Sequence, residues 1–187
     1  MIKLPAPKVA GKKSLEEVIN KRKSIRKYSD SFLSLNEVSQ LLWASSMVPS
    51  AGAIYPMVIY LVAENISDLD PGIYRYSSSN HSLEKFIEGN KGASLAKACL
   101  GQSFVAKAPI NIVVTAIYEK IKAGYGERGI RYAIIEAGHI SQNVYLQAEA
   151  LELGTVAIGA FYDDHVSEVL ELSTKEKPLY VMPVGRT

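Results

Sequence analysis

One long periodic segment constrains the fold of this chain more than any other feature. It reads ERGIRYAIIEAGHISQNVYLQAEALELG, and its last residue, Gly154, is suited to a helix C-cap. Apolar residues recur there every three or four positions, as on one face of an α-helix: Ile130, Ile134, Ala137, Ile140, Val144, Ala148 and Leu151. We therefore predict a central helix from about 128 to 153. A helix of roughly 24 residues is about 36 Å long, enough to cross a whole domain of this size.

The length of the chain fits one domain around such a helix. The 187 residues, 48% of them hydrophobic, suffice for one substantial core but are too few for two domains. We expect a single domain over residues 1–187, with residues 1–13 as an extended N-terminal arm. The single cysteine, Cys99, cannot form an internal disulfide, and the N-terminus has no apolar region typical of a signal peptide. No apolar run approaches the ~20 residues that span a bilayer, so we expect a cytoplasmic protein without a membrane segment.

Shorter elements precede and follow the central helix. Two S-x-x-E capping boxes, at Ser14 and Ser34, predict helices over about 15–23 and 35–46. Further patterns predict strands over 57–63, 72–77, 81–86, 110–118, 155–162 and 179–186, and helices over about 92–100 and from Asp163. Helices come first and then mix with strands. This order favours an α+β fold with a mostly antiparallel central sheet flanked by helices.

Several kinds of site are excluded by the residues present. The three histidines, His81, His139 and His165, are far apart in sequence, so no metal site is expected. The chain contains neither a G-x-x-x-x-G-K-[ST] phosphate loop nor a G-x-G-x-x-G dinucleotide motif. His139 has Asn143 one turn further along the helix, and a hydrogen-bonded histidine is the favoured interpretation over a catalytic one.

Positive charge is concentrated at the N-terminal end of the chain. Residues 1–27 hold nine lysines and arginines against two glutamates, which indicates that an anion binds near this segment. Within KRKSIRKYSD, Arg22 and Arg26 are four residues apart with the Ser24 hydroxyl between them, and these donors suit a phosphate monoester. A basic run of this kind, taken alone, is more often a solvated helix face. Arg186 lies far away, just after the last predicted strand.

A second unusual segment has very small side chains at its centre. VPSAGAIYP places four small residues, Ser50 to Ala53, between two prolines. Such a segment exposes backbone to a ligand, although by itself it is more often only a turn.

Together these segments resemble those of a known family. KRKSIRKYSD, PSAGAIYPMVIYLV, the long helix and LYVMPVGR occur in the order found in nitroreductase-family flavoproteins, and the resemblance covers about residues 14–187. The most similar branch includes the azoline dehydrogenases of thiazole- and oxazole-containing peptide biosynthesis, the streptolysin-S-type enzymes. The resemblance implies a nitroreductase-like fold, FMN as the cofactor, and a homodimer with two flavins at its interface.

The resemblance also implies which residues bind the cofactor. The FMN phosphate would be held by Arg22, Ser24 and Arg26, with Lys23 alongside through its backbone and Arg186 completing the clamp. The flavin of the partner subunit would lie against a loop formed by Pro49, Ser50, Ala51, Gly52 and Ala53. The isoalloxazine ring would face Ile158, Gly159 and Ala160, with a backbone N–H near N5. Many nitroreductases have Glu-Gly where this chain has Gly159-Ala160, which leaves the nicotinamide specificity open.

Two enzymatic functions fit this resemblance. The first is an FMN oxidoreductase that uses NAD(P)H to reduce nitroaromatics, quinones or related small-molecule acceptors. The second is an azoline dehydrogenase, which would imply a cyclodehydratase partner and would use Arg131 and Tyr132 as catalytic residues in place of a Lys-Tyr pair. An arginine does not release its proton, so the base would have to be Tyr132. For this reason, and because the first predicted helix begins by about residue 15 and leaves no extension to bind a peptide, we expect the reductase.

A third function belongs to another class. The basic N-terminal segment would suit a non-catalytic domain that binds nucleic acid. Only Tyr28 lies near that run, however, and single-stranded nucleic acid binding needs interleaved aromatic residues. We therefore expect no nucleic-acid partner.

Overall fold

A computed structural model describes all residues, 1–187, and builds them around one sheet. Its strands in chain order are β1 (Ile2–Lys3), β2 (Met57–Ala63), β3 (Gly72–Ser77), β4 (Ser82–Glu88), β5 (Ile110–Ile117), β6 (Leu153–Thr155) and β7 (Glu176–Arg186). They lie in the order β1-β4-β3-β2-β5-β7-β6, and every neighbouring pair is antiparallel. The predicted α+β fold with an antiparallel sheet is confirmed.

Seven helices flank this sheet in two layers. They are α1 (Leu15–Lys21), α2 (Leu35–Ser46), α3 (Gly92–Ala98), α4 (Ser103–Lys107), α5 (Tyr118–Tyr125), α6 (Arg128–Ala150) and α7 (Asp163–Val169). Buried residues of α2 and α6 pack on one face of the sheet, and buried residues of α3, α4 and α7 pack on the other. Because β2 and β5 are covered on both faces, they are apolar at nearly every position instead of alternating. None of the helices combines the length and apolar character needed to cross a bilayer.

The central helix α6 differs from its prediction at two points. Ile134 was expected in the core stripe, but it is 53% exposed and Ile135 beside it is 48% exposed. The buried face instead includes Ala133, Glu136 and Ala137. The helix also ends at Ala150, so the predicted cap at Gly154 is wrong.

The true role of Gly154 is close packing. It belongs to β6, where an added Cβ would lie 2.7 Å from side-chain atoms of both Ile25 and Thr187. Such distances are too short for a side chain, so glycine allows the chain around Ile25 to approach β6. This approach brings the basic segment to the edge of the sheet.

Other predictions were incomplete or wrong. The strand predicted over 155–162 is largely absent, since β6 ends at Thr155 and only Ile158 forms a further bridge, to Val181. The short helices α4 and α5 were missed because neither has a side-chain cap at its start. Within the predicted N-terminal arm, Ile2–Lys3 pairs with β4, and the rest of residues 1–13 forms no helix or strand.

Candidate functional site

The basic segment leaves α1 and joins the edge of the sheet. Arg22 caps α1 through a backbone hydrogen bond to Val18, after which the chain becomes extended. Ser24 forms a parallel bridge with Thr155, and the backbone N–H of Ile25 donates to the Thr155 carbonyl at 2.9 Å. The backbone of the basic segment is thereby held beside β6.

Tyr145 of α6 lies at the centre of this region. The Arg22 guanidinium carbon lies 5.1 Å from the centroid of the Tyr145 ring, within cation–π range. The Tyr145 hydroxyl oxygen is 2.8 Å from Ser24 Oγ and accepts a hydrogen bond of 2.9 Å from the Ala157 backbone N–H. We call Arg22, Ser24 and Tyr145 the cationic cluster. Sequence reasoning missed Tyr145, because it lies 121 residues from Ser24 in the chain and no sequence pattern connects the two residues.

The other predicted phosphate ligands differ in how they are engaged. Lys23 and Arg26 are exposed, and neither side chain makes a hydrogen bond or ion pair. Arg186 donates from one guanidinium nitrogen to both carboxylate oxygens of Glu37, at 2.8 and 3.1 Å. Glu37 also accepts from the backbone and hydroxyl of Ser34 as part of the α2 capping box. The guanidinium has five N–H donors, so this pair leaves donors available to a ligand.

Arg186 lies on β7, and the edge strand β6 separates it from the Ser24 segment. It is opposite Leu153 in the β6–β7 ladder, two positions from Thr155, which pairs with Ser24. Its carbonyl accepts a hydrogen bond from the Ser29 backbone N–H, which ties the basic segment to β7. The structure therefore brings the N-terminal and C-terminal arginines to one edge of the sheet.

The small-residue loop (residues 49–53) lies elsewhere, at the first half of α6. Ser50 Oγ donates to Glu136 Oε2 at 2.5 Å and accepts from the Tyr55 backbone N–H at 2.9 Å. Gly52, Ala53 and Tyr55 have φ angles of 60°, 54° and 50°. For the two non-glycine residues this left-handed conformation costs about 1–2 kcal/mol each, and such strain concentrates at ligand-binding sites.

This loop presents backbone donors. The N–H groups of Ser50, Ala51 and Gly52 donate no hydrogen bond within the chain. Ser50 and Ala51 are half-buried and Gly52 is exposed. Unpaired backbone N–H groups of this kind are unusual unless water or a ligand accepts from them.

Glu136 anchors this loop and was missed by sequence reasoning. Only 2% of the residue is exposed. Burial raises the pKa of its carboxyl above the usual range, while the hydrogen bond from Ser50 and the nearby His139 act in the opposite direction. It borders a cavity of about 350 Å³ together with Tyr55, Arg75 and Lys120. A signal was present in the sequence, because Glu136 lies directly beside Ala137 on the stripe that was predicted to be buried.

The predicted pair Arg131 and Tyr132 is separated by the structure. Tyr132 packs edge-on against Tyr125, with ring centroids 5.1 Å apart and planes at 90°. Tyr125 in turn lies against the loop, since an added Cβ at Gly52 would be 2.8 Å from its hydroxyl oxygen. Arg131 is exposed and its side chain makes no hydrogen bond or ion pair. Tyr132 therefore lies near the loop, whereas nothing holds Arg131 toward it.

Residues 158–160 form the third predicted region. Ile158 is buried and exchanges two backbone hydrogen bonds with Val181, whereas Gly159 and Ala160 are exposed. The N–H groups of Gly159 and Ala160 donate no hydrogen bond within the chain, and the Ala160 carbonyl accepts from Gln102 at 3.1 Å. Tyr145 links this region to the cationic cluster through Ala157.

Within one chain, the loop and the cationic cluster lie at different levels of α6. The loop is bound at Glu136 and the cluster at Tyr145, nine residues further along the helix. This separation corresponds to about 14 Å along the helix axis.

Comparison with known proteins identifies the family. The model of the nitroreductase family matches residues 19–186, a span that includes the basic segment, the small-residue loop, α6 and Arg186. The chain belongs to the nitroreductase family. It is 44% identical over 181 residues to a candidate nitroreductase of Methanocaldococcus jannaschii, covering 92% of this chain and 90% of that protein.

Two further proteins show the breadth of this family. McbC of Escherichia coli, a microcin B17-processing protein, is 29% identical over 143 residues, which cover 73% of this chain but 53% of McbC. The solved structure of a candidate nitroreductase of Ralstonia eutropha superposes with a TM-score of 0.86 at 26% identity, covering 100% of this chain and 89% of that one. The resemblance predicted from the sequence is confirmed, and the protein is an oxidoreductase of a family that typically binds flavin.

Proposed function

We propose that this protein binds FMN between two copies of the chain and uses NAD(P)H to reduce a nitroaromatic, a quinone or a related small-molecule acceptor. The observation that carries this proposal is that segments from opposite ends of the chain lie side by side at one end of the sheet: Ser24, which follows Arg22, pairs with β6, and β6 pairs with the strand that ends at Arg186. Guanidinium and hydroxyl donors of this kind suit a phosphate monoester. Lys23 and Arg26 add positive charge on the same segment.

The residues present fit FMN at both of its ends. At the phosphate end, Arg22 is held over Tyr145 with Ser24 beside it. At the ring end, two segments with small side chains have unpaired backbone N–H groups, namely residues 50–52, which are partly exposed, and residues 159–160, which are exposed. A planar ring needs such bare surfaces, and backbone donors reach its polar edge.

A second copy of the chain accounts for the separation between the loop and the cationic cluster. In a homodimer, the loop of one subunit can lie against the flavin whose phosphate is held by the other. The first half of α6, which contacts the loop, carries Ile134 and Ile135 at 53% and 48% exposure, and Tyr125 nearby is 39% exposed. Exposed apolar residues on a helix face are typical of an interface between subunits. Light scattering is expected to give twice the chain mass of 20.4 kDa.

The chain's own residues bind and orient the cofactor, and the reaction does not need them as acids or bases. FMN, when bound, supplies hydride acceptance from a nicotinamide and electron donation to a second substrate. The unpaired N–H groups at Gly159 and Ala160 offer donors to the ring, and the cations at the sheet edge favour an anionic ligand. Neither task requires a side-chain acid or base, which agrees with the position of Arg131 in solvent.

Azoline oxidation is the second candidate, because the chain is similar to McbC, whose name records processing of microcin B17. In this chain Tyr132, which lies near the small-residue loop through Tyr125, would have to act as the base. We rank this function second, since Arg131 makes no contact that directs it to the loop.

Stopped-flow bleaching of the flavin separates the two functions. We expect purified protein to be yellow, to release FMN on denaturation, and to be reduced rapidly by NADH or NADPH. Reoxidation by a quinone or nitroaromatic then completes a turnover. A flavin that is indifferent to both nucleotides but is bleached by a thiazoline peptide would contradict the reductase and support the second function.

A further inference from the structure

Tyr145 makes three contacts that together organise the edge of the sheet. Its ring lies under the Arg22 guanidinium, its hydroxyl meets Ser24 Oγ at 2.8 Å, and the same hydroxyl accepts from the Ala157 N–H at 2.9 Å. The side chain is half-buried, whereas Ser24 is exposed. Tyr145 therefore contacts Arg22 and Ser24 as well as the segment leading to Ile158.

The hydrogen-bonding capacity of the phenol determines which way the Ser24 contact runs. A tyrosine hydroxyl has one proton to donate and also accepts. Its acceptor side is engaged by the Ala157 N–H. Its proton has no acceptor within the chain other than Ser24 Oγ. Either direction leaves one hydroxyl proton unpaired, and donation from the half-buried Tyr145 to the exposed Ser24 leaves that proton on the group that solvent or a ligand can reach.

This direction matters because a phosphate only accepts hydrogen bonds when it is fully ionised. If Ser24 donated to Tyr145, the serine would present only its oxygen lone pairs to a ligand, and these repel an anion. With Tyr145 as the donor, Ser24 presents a proton. The guanidinium of Arg22, which lies over the ring of the same tyrosine, presents further donors.

We propose that Tyr145 is a positioning residue for the phosphate of FMN: it orients the Ser24 hydroxyl as a donor and holds Arg22 beside it. This inference rests on the proposed binding of FMN and assigns a role to a residue that does not itself touch the ligand. Through Ala157, the same hydroxyl also ties the phosphate region to residues 158–160, which are proposed to face the ring.

The test compares FMN with riboflavin, which lacks the phosphate, on wild type and on Tyr145→Phe. The phenylalanine keeps a ring under Arg22 and removes only the hydroxyl. Loss of one oriented hydrogen bond is expected to weaken FMN about two- to tenfold, while riboflavin affinity changes less than about twofold. Tyr145→Leu, which also removes the aromatic face, is expected to weaken FMN further.

A double-mutant cycle shows whether Tyr145 acts through Ser24. In a Ser24→Ala background, Tyr145→Phe is expected to cause no additional loss of FMN affinity, because the serine it orients is gone. Tyr74→Phe is the matched control: it also removes a tyrosine hydroxyl, which bonds the Asp70 carbonyl instead, and it should leave the affinity for both flavins unchanged. Thermal melts of each variant check that the fold is retained.

The outcomes separate this inference from the proposed function. Wild type that binds FMN while Tyr145→Phe binds it equally well overturns the role of Tyr145 alone. Equal losses for FMN and riboflavin, or losses that add fully to those of Ser24→Ala, also overturn it, since they indicate a general structural role. Wild type that binds neither flavin overturns the proposed function and the role of Tyr145 with it.

Discussion

The cationic cluster and the small-residue loop hold a ligand in opposite ways. The cluster offers a guanidinium and a serine hydroxyl on extended backbone at the sheet edge, beside the half-buried Tyr145 of α6. The loop offers unpaired backbone N–H groups on strained backbone, anchored from below by the buried carboxylate of Glu136. Under the proposed function, the cluster would contribute affinity through charge, whereas the loop would contribute a surface shaped for the ring. Substitutions in the two regions should therefore have different effects. Those in the cluster should weaken FMN binding, and those in the loop should lower enzymatic turnover.

The largest effect is expected from removing both arginines of the sheet edge. Arg22→Ala with Arg186→Ala should weaken FMN by about 10²- to 10⁴-fold, because each charge-assisted hydrogen bond contributes about 1.5–3 kcal/mol. Riboflavin, which has no phosphate, should lose little affinity. Fluorescence titration with both flavins measures this ratio, and the exposed Lys107→Ala serves as a control for lost charge. A double variant that keeps its flavin through gel filtration would refute the clamp.

The next effect is expected from a side chain in the loop. Gly52→Val places a branched residue at a φ of 60° and brings its Cβ within 2.8 Å of the Tyr125 hydroxyl. We expect turnover to fall by about 10²-fold from misplaced backbone, with a loss of stability of about 1–2 kcal/mol.

Gly89→Val is the matched control for this change. Gly89 also has a positive φ, 78°, but an added Cβ there meets no atom within 4 Å. The control should lose similar stability in urea unfolding and keep full turnover. If both variants lost turnover equally, strain alone would explain the effect and the loop would have no special role.

A smaller effect is expected in the pH dependence of stability. Burial raises the pKa of the Glu136 carboxyl above its ordinary value of 4.5, so the folded protein holds this proton more tightly than the unfolded chain does. Stability must then decrease as pH rises from ~4.5 through the raised pKa, and level off above it. Glu136→Gln removes this contribution, while its amide oxygen still accepts from Ser50. Urea unfolding at pH ~5 and ~8 should show a smaller pH-dependent loss in the variant than in wild type; equal slopes would show that Glu136 does not titrate in this range.

The sequence predicted well what is local and periodic. Helix α2 and strands β2 and β3 have the predicted bounds, because a capping box at Ser34, the apolar run of β2 and the hairpin turn that follows β3 define them without help from distant residues. The order of the family segments named Arg22 and Arg186 as parts of one clamp, and this remains a prediction, since Arg22 contacts Tyr145 and Arg186 contacts Glu37. Gly154 was misassigned because glycine suits both a helix cap and a close approach, and only the packing of Ile25 decides between them.

The side chains that contact the predicted site residues could not be predicted from the sequence. Tyr145 and Glu37 are typical helix residues, and their contacts with Ser24 and Arg186 depend on how α6 and α2 lie against the sheet. Glu136 alone gave a signal, as a carboxylate within an apolar stripe. The strain at Ala53 and Tyr55 gave none, since neither residue favours a positive φ.

The central claim is that the cationic cluster of one subunit and the loop of the other form one flavin site, and complementation tests it most directly. The two variants are Arg22→Ala with Arg186→Ala, and Gly52→Val. Each homodimer then has two defective sites. In a heterodimer of the two, purified through different tags, both defects fall in one site and the other is intact. The account predicts about half of wild-type turnover per heterodimer. A heterodimer as inactive as its parents would show that both regions serve the flavin of their own chain, and would contradict the account.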